Sequence, residues 1–143
     1  MSVGPRKEES KKQTIDVRFS RLCWELQNKI KAESTAQGGP FSYKYADLTT
    51  LLPLARTLFA RHGFTFSQRS IITANERVVI QTAIKDTETD SKENYIVSDL
   101  IVPDVPSNAK NPAQELGKYI TYTRRYALYI AMNILPEKDT DAN

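Results

Sequence analysis

A chain of 143 residues with 20 basic and 17 acidic side chains, net charge +3, has room for one domain with a real core and not for two independent ones. Its 40% hydrophobic share excludes a fibre or wholesale disorder, and its one cysteine, Cys23, excludes an intramolecular disulfide framework. No apolar run approaches the roughly 20 residues of a membrane span, and the N-terminus lacks a signal-peptide core, so an intracellular protein is expected.

Residues 1–13 are polar, charged and without periodicity, and are read as a disordered arm. From Thr14, Ile15, Phe19, Leu22, Leu26 and Ile30 fall at steps of four, three, four and four, which predicts an amphipathic helix. Cys23 beside Trp24 reads as a packing residue. AESTAQGGP is expected to break the helix, with Gly38, Gly39 and Pro40 in an exposed loop. A second helix follows FSYKYADL, with Asp47 and Thr50 as candidate N-caps, Pro53 placed near the first turn, and Gly63 as a left-handed stop. His62, at that helix end, is expected to meet terminal carbonyls rather than a metal.

FTFSQRSII, RVVIQTAI and NYIVSDLIV read as three strands joined by short polar turns, an antiparallel meander. Val78, Ile80, Thr82 and Ile84 share one face of the second strand; Ile96, Leu100 and Val102 share one face of the third. Asn111, Pro112 and Gln114 then signal a helix start with a capping box, running to about Asn133, and Pro136 closes it. The expected fold is therefore α+β, a three-stranded antiparallel β-meander packed against a long C-terminal helix with additional N-terminal helices. One domain spans 14–136, and 137–143 form an acidic polar tail.

The last helix carries KYITYTRRYALYI, with four tyrosines, a lysine and two adjacent arginines. At about 100° per residue, Leu116, Ile120, Thr123, Ala127, Ile130 and Ala131 gather on one side as the expected core face. Lys118, Tyr122, Arg125 and Tyr129 lie opposite, Tyr119 and Tyr126 on one boundary and Arg124 on the other. Cations neutralise phosphates, and aromatic rings and guanidinium planes accept the faces of bases, so the strip suits a single nucleic-acid strand whose bases stay readable. Helix–sheet packing by tyrosines, with the arginines paired to carboxylates, accounts for the same residues. Tyr43, Lys44 and Tyr45 repeat the aromatic–cation–aromatic mixture and favour the strand reading. Tyr119 and Tyr126 are assigned to structure rather than to stacking.

NPAQELGKYITYTRRYALYIAMNI resembles the signature helix of the phage essential recombination function (Erf) family, a version of Gln-x-x-Gly-Ser-x-x-Thr-Tyr-x-Arg-Arg-Tyr-x-Leu. The matching positions are Gln114, Gly117, Thr121, Tyr122, Arg124, Arg125, Tyr126 and Leu128. YKYADLTTLLPLARTLFARHGFTFSQ is similar to the family's Tyr-x-Tyr-Ala-Asp-Leu helix, so the likeness covers roughly 41–143. Lys118 and Tyr119 depart from it where small residues are usual, and add a cation to the strip. The resemblance implies an annealing protein for single-stranded DNA in phage homologous recombination, acting without nucleotide hydrolysis or cofactor in the bacterial host cytoplasm. It implies a fold similar to the eukaryotic recombination annealing protein and a homo-oligomer, a ring or helical filament. A host or phage single-strand-binding protein or exonuclease is the implied protein partner. The candidate DNA-binding residues are Lys118, Tyr122, Arg124, Arg125 and Tyr129 with Lys44, Tyr43 and Tyr45.

An enzyme is disfavoured on independent grounds. Gly117-Lys118 lacks the glycine-rich spacing of a phosphate-binding loop and is followed by tyrosine. One histidine and one cysteine make no usual zinc cluster, and Asp86, Glu88, Asp90 and Asp99 do not converge by sequence on a magnesium nuclease site. The nearest rival is a binder that protects single strands without annealing them. A protein that uses the tyrosine strip for self-assembly is a third reading.

Overall fold

The computed structural model describes residues 13–38 and 47–135, with side chains described for 13–31 and 47–135. The N-terminal arm to residue 12, Tyr43, Lys44 and Tyr45, and Pro136 with the acidic tail lie outside the described residues. The elements run α1 (Ile15–Gly38), α2 (Leu48–His62), β1 (Phe64–Ile72), β2 (Val78–Asp86), β3 (Ile96–Ile101) and α3 (Pro112–Ala131). The three strands form one antiparallel sheet in the order β1-β2-β3. The α+β meander expected from the pattern is the observed architecture.

Thr14 caps α1, its carbonyl accepting from the Arg18 N–H (3.0 Å) and its hydroxyl from the Val17 N–H (3.3 Å). Leu22, Leu26 and Ile30 form the buried stripe, with Ile15 and Phe19 half-buried beside it. Cys23 packs on the same cluster, and burial pushes its thiol up to about 12. The helix does not break at AESTAQG but continues to Gly38. Alanine, glutamate and glutamine there are good helix formers, and the terminating glycine lies at their end.

Asp47, rather than Thr50, caps α2: its carboxylate accepts from the Thr50 N–H (3.0 Å) and the Thr49 hydroxyl (2.7 Å). Pro53 sits inside the helix, a turn later than expected, on its exposed side. Gly63 ends the helix at φ 81°, where a Cβ would also collide with the Glu88 carboxyl. His62 differs from expectation. Its ring Nε2 lies 2.7 Å from the Glu25 carboxylate, and its carbonyl accepts from Arg18 (3.0 Å). Arg18 also donates to the buried Asp86 (2.9 Å), so one guanidinium from α1 fastens the end of α2 to the end of β2.

Ile80, Thr82 and Ile84 of β2 face the helices, with Phe64, Phe66 and Gln68 of β1 and Leu100 of β3 on the same side. The main core joins α1, α2, Phe64, Ile84 and the C-terminal half of α3. A smaller cluster of Ile80, Val102 and Ala127 seats the N-terminal half of α3 on the sheet, with Tyr119 and Ile120 against it. Pro112 opens α3, but Asn111 makes no side-chain cap; its amide donates to the Gln114 side chain instead (3.0 Å). The helix closes with Asn133 left-handed (φ 55°), the Asn133 N–H on the Ile130 carbonyl and the Ile134 N–H on the Tyr129 carbonyl, which is a Schellman stop.

The single-faced projection of α3 is corrected by its neighbours. Thr123 and Ala127 are buried as expected, but so are Leu128, Tyr129 and Met132, while Ile130 is 57% exposed and Leu116 38%. Among the described residues the first half of α3 packs on the sheet, while the second half is wedged between the sheet and the other helices, so its buried arc widens past one face. Tyr129 falls in that wider arc.

Candidate nucleic-acid interface

Among the described residues the N-terminal half of α3 is covered on its sheet side, and its other side carries a shallow groove, largely open to solvent, of about 430 Å³ lined by Gly117, Lys118, Thr121, Tyr122 and Arg125. Helical spacing puts these residues together: Lys118, Tyr122 and Arg125 rise on one side, and Gly117 and Thr121 form the low floor one turn apart. Apart from its chain neighbours and the adjacent helix backbone, no atom of the described residues lies within 4 Å of where a Gly117 Cβ would stand. The Thr121 hydroxyl donates back to the Gly117 carbonyl (3.1 Å), so the floor presents little bulk.

The tyrosines are graded from groove to core. Tyr122 is 52% exposed, Tyr126 is half-buried and Tyr129 is 1% exposed. The rings of Tyr122 and Tyr126 lie 4.4 Å apart at 36°, and those of Tyr126 and Tyr129 5.9 Å apart at 82°. An outer ring is thus held in orientation by one anchored in the core. The Arg125 guanidinium stands 5.9 Å from the centre of the Tyr122 ring and 5.6 Å from that of Tyr126. Those ring faces favour a cation and fix its direction.

Lys118 is 66% exposed and its ammonium lies 3.5 Å from Glu115, an exposed i,i+3 pair that a competing phosphate can displace at small cost. Asp47, at the N-terminus of α2, is held below the usual carboxylate range by the Thr49 hydroxyl and Thr50, with a smaller pull from Arg125. The charge of Arg125 is therefore felt at the start of α2, and FSYKYA runs directly into that position.

Of the residues expected from the sequence, the structure brings together Lys118, Tyr122 and Arg125. Arg124 points the other way: its Nε donates to the Gln68 side chain of β1 (3.2 Å), whose amide donates to the Arg124 carbonyl (2.9 Å) and to Thr82 (3.2 Å). It braces helix against sheet. Tyr129 is removed from the strand-facing strip because its ring is sealed among the core residues. Lys44, Tyr43 and Tyr45 cannot be placed, lying outside the described residues. Gly117 and Thr121 were missed as floor residues; their signal is two small side chains at i,i+4 flanked by Lys118 and Tyr122.

The family model of the ERF superfamily matches residues 19–143. The chain belongs to the ERF superfamily. No curated protein and no solved structure is significantly similar to it. ERF membership carries a role in phage recombination by single-strand annealing at the level of the family. In this ERF chain all five groove residues lie within the matched span, and the ring ladder is built from tyrosines of the signature helix. Among the described residues no helix is long and apolar enough to cross a membrane, and no three His, Cys, Asp or Glu side chains gather as metal ligands.

Proposed function

We propose that this protein binds single-stranded DNA along the α3 groove and anneals complementary strands in phage recombination, without nucleotide hydrolysis or metal. The observation that carries this reading is an exposed, core-backed tyrosine ring beside two cations at one open groove. Arg125 and Lys118 hold successive phosphates. Tyr122 offers its face to a base, a contact that tolerates any sequence and is worth about 1–3 kcal/mol. The Watson–Crick edge of a stacked base stays outward, where a complement can test it.

Two phosphate contacts give one protomer little affinity. A homo-oligomer, as a ring or filament, sets grooves in series on one strand and multiplies a weak contact into a tight one. The setting is the cytoplasm of the bacterial host, where a single-strand-binding protein or exonuclease supplies the strand.

The test is a pair of complementary oligonucleotides, labelled for energy transfer and mixed at concentrations where spontaneous pairing is slow. Faster duplex formation without nucleotide or magnesium is expected, with affinity for one strand falling steeply as salt rises. Tight binding without faster pairing would leave a strand-protecting protein. Cleavage of either oligonucleotide on adding magnesium or manganese would make it a nuclease.

A further inference from the structure

The largest exposed aromatic surface of the described residues is away from the groove. Trp24, on α1, is 70% exposed. A core-forming ring left this open needs a reason, since burying it would be favourable. At about 100° per residue, Val17, Arg21, Trp24, Asn28 and Lys31 fall within about 80° of arc, so they form one strip along α1. All five are exposed. None of the α1 residues with described side chains lines the α3 groove.

The strip's charge is of one sign. The Gln13 amide, turned to satisfy both groups, accepts from both terminal nitrogens of Arg21 (2.7 and 3.1 Å). A neutral amide orients the guanidinium and leaves its charge available. The two carboxylates on the side-chain-described part of α1 are engaged elsewhere: Asp16 accepts from the Tyr95 hydroxyl, and Glu25 pairs with Arg61 and His62. Arg21 and Lys31 stand about 15 Å apart along the axis with the indole between them. A flat exposed ring set between two cations, beside a hydrogen-bonding amide, is the chemistry that accepts bases and phosphates of a single strand.

We propose that the Trp24 strip of α1 is a second binding site for single-stranded nucleic acid, taking the complementary strand while the α3 groove holds the first. The assignment of first and second strand rests on the annealing function proposed above; the site itself does not. Trp24 stacks one base, Arg21 takes a flanking phosphate, and Asn28 bonds to a base edge or sugar. Two strands held on two elements of one protomer need no exchange between distant subunits before pairing begins.

Trp24 is the one tryptophan of the chain, so its emission reports this site directly. Oligothymidylate titrated into the full chain should quench it, and quenching should weaken with salt. In the Tyr122→Ala/Arg125→Ala double variant, tight binding should be lost while quenching persists at higher oligonucleotide concentration. Trp24→Ala should bind one labelled strand within about twofold of the parent yet anneal roughly tenfold more slowly, the cost of one lost stack, and Trp24→Phe should recover most of that rate. Emission unchanged at saturating oligothymidylate overturns the site, as does quenching that disappears with the groove variant. Emission that moves on dilution of the protein and not with DNA overturns it in favour of a contact between copies. If the parent chain fails to anneal, the annealing function falls, and the fluorescence titration still decides whether the strip binds a strand.

Discussion

Gln68 and Arg124 hold each other twice. The Gln68 amide nitrogen donates to the Arg124 carbonyl at 2.9 Å while the Arg124 Nε donates to the Gln68 amide oxygen at 3.2 Å. The adjacent arginines of the signature helix therefore divide their work, 124 bracing the helix on the sheet and 125 facing the groove. Arg124→Ala is expected to cost about 1 kcal/mol of stability by leaving the half-buried Gln68 amide oxygen short of a donor, with the salt slope of strand binding unchanged. Arg125→Ala takes a half-buried guanidinium off the Tyr122 and Tyr126 rings, so it is expected to cost some stability as well as to lower that slope by about 0.7 per protomer engaged. Denaturant melts and strand titrations from 50 to 300 mM salt, run on both variants, separate the two roles; a slope that falls with Arg124→Ala would merge them.

Tyr122 and Tyr129 should respond oppositely to the same truncation. Tyr122 is half open to solvent, so Tyr122→Ala is expected to weaken binding to one strand by about 1–3 kcal/mol per base stacked, with little change in stability. Tyr122→Phe keeps the ring and should bind like the parent. Tyr129→Ala empties a fully enclosed site and should destabilise by about 3–5 kcal/mol, as other large aromatic truncations do. Thermal melts with fluorescence-anisotropy titrations check both.

Gly117 supplies a test of the groove itself. It sits mid-helix with open space where a side chain would be, so nothing local requires glycine for packing. Gly117→Ala should stabilise the helix by about 0.5–1 kcal/mol and still bind. Gly117→Leu should fold equally well and lose strand affinity, because its side chain fills the floor beside Lys118 and Tyr122. Wild-type affinity in the leucine variant would move the strand off this groove.

The fold was legible because its signals are local. Steps of three and four marked α1, alternation marked the strands, and Gly63 and Pro112 marked helix ends. What failed depended on neighbours. A projection of α3 treats it as having one buried face, so it placed Tyr129 with Tyr122 although the α1 and α2 layers cover the helix beyond Ala127. Arg124 and Arg125, one residue apart, could not be assigned to sheet and groove until Gln68 of β1 was seen to reach the first. Trp24 read as part of an amphipathic run because the pattern shows where apolar residues recur, not which of them the core has room for; the buried stripe of Leu22, Leu26 and Ile30 leaves it outside.

Acid should act on this protein chiefly through the junction of its layers, with the Asp47 cap of α2, also held below the usual carboxylate range, adding in the same sense. Burial alone would raise the Asp86 carboxyl, but the Glu88 N–H and the Arg18 guanidinium outweigh it and hold the group below the usual carboxylate range. A carboxyl whose folded value lies below its unfolded value contributes stability above the unfolded value, about pH 4, and loses it as pH falls through the folded one. Glu25, held down chiefly by its bond to His62, has the same sign. Stability should therefore be flat on the acid side down to about pH 5 and decline below about pH 4. Arg18→Met strands a buried carboxylate, so it should cost roughly 3 kcal/mol near neutral pH and move the acid transition to higher pH, while Arg18→Met with Asp86→Leu should recover much of the loss. Because Arg18 also bonds to the His62 carbonyl, the double variant should recover less than the parent's full stability. Chemical denaturation at a series of pH values reads all three chains, and an acid transition unmoved by Arg18→Met would show that Asp86 does not set it.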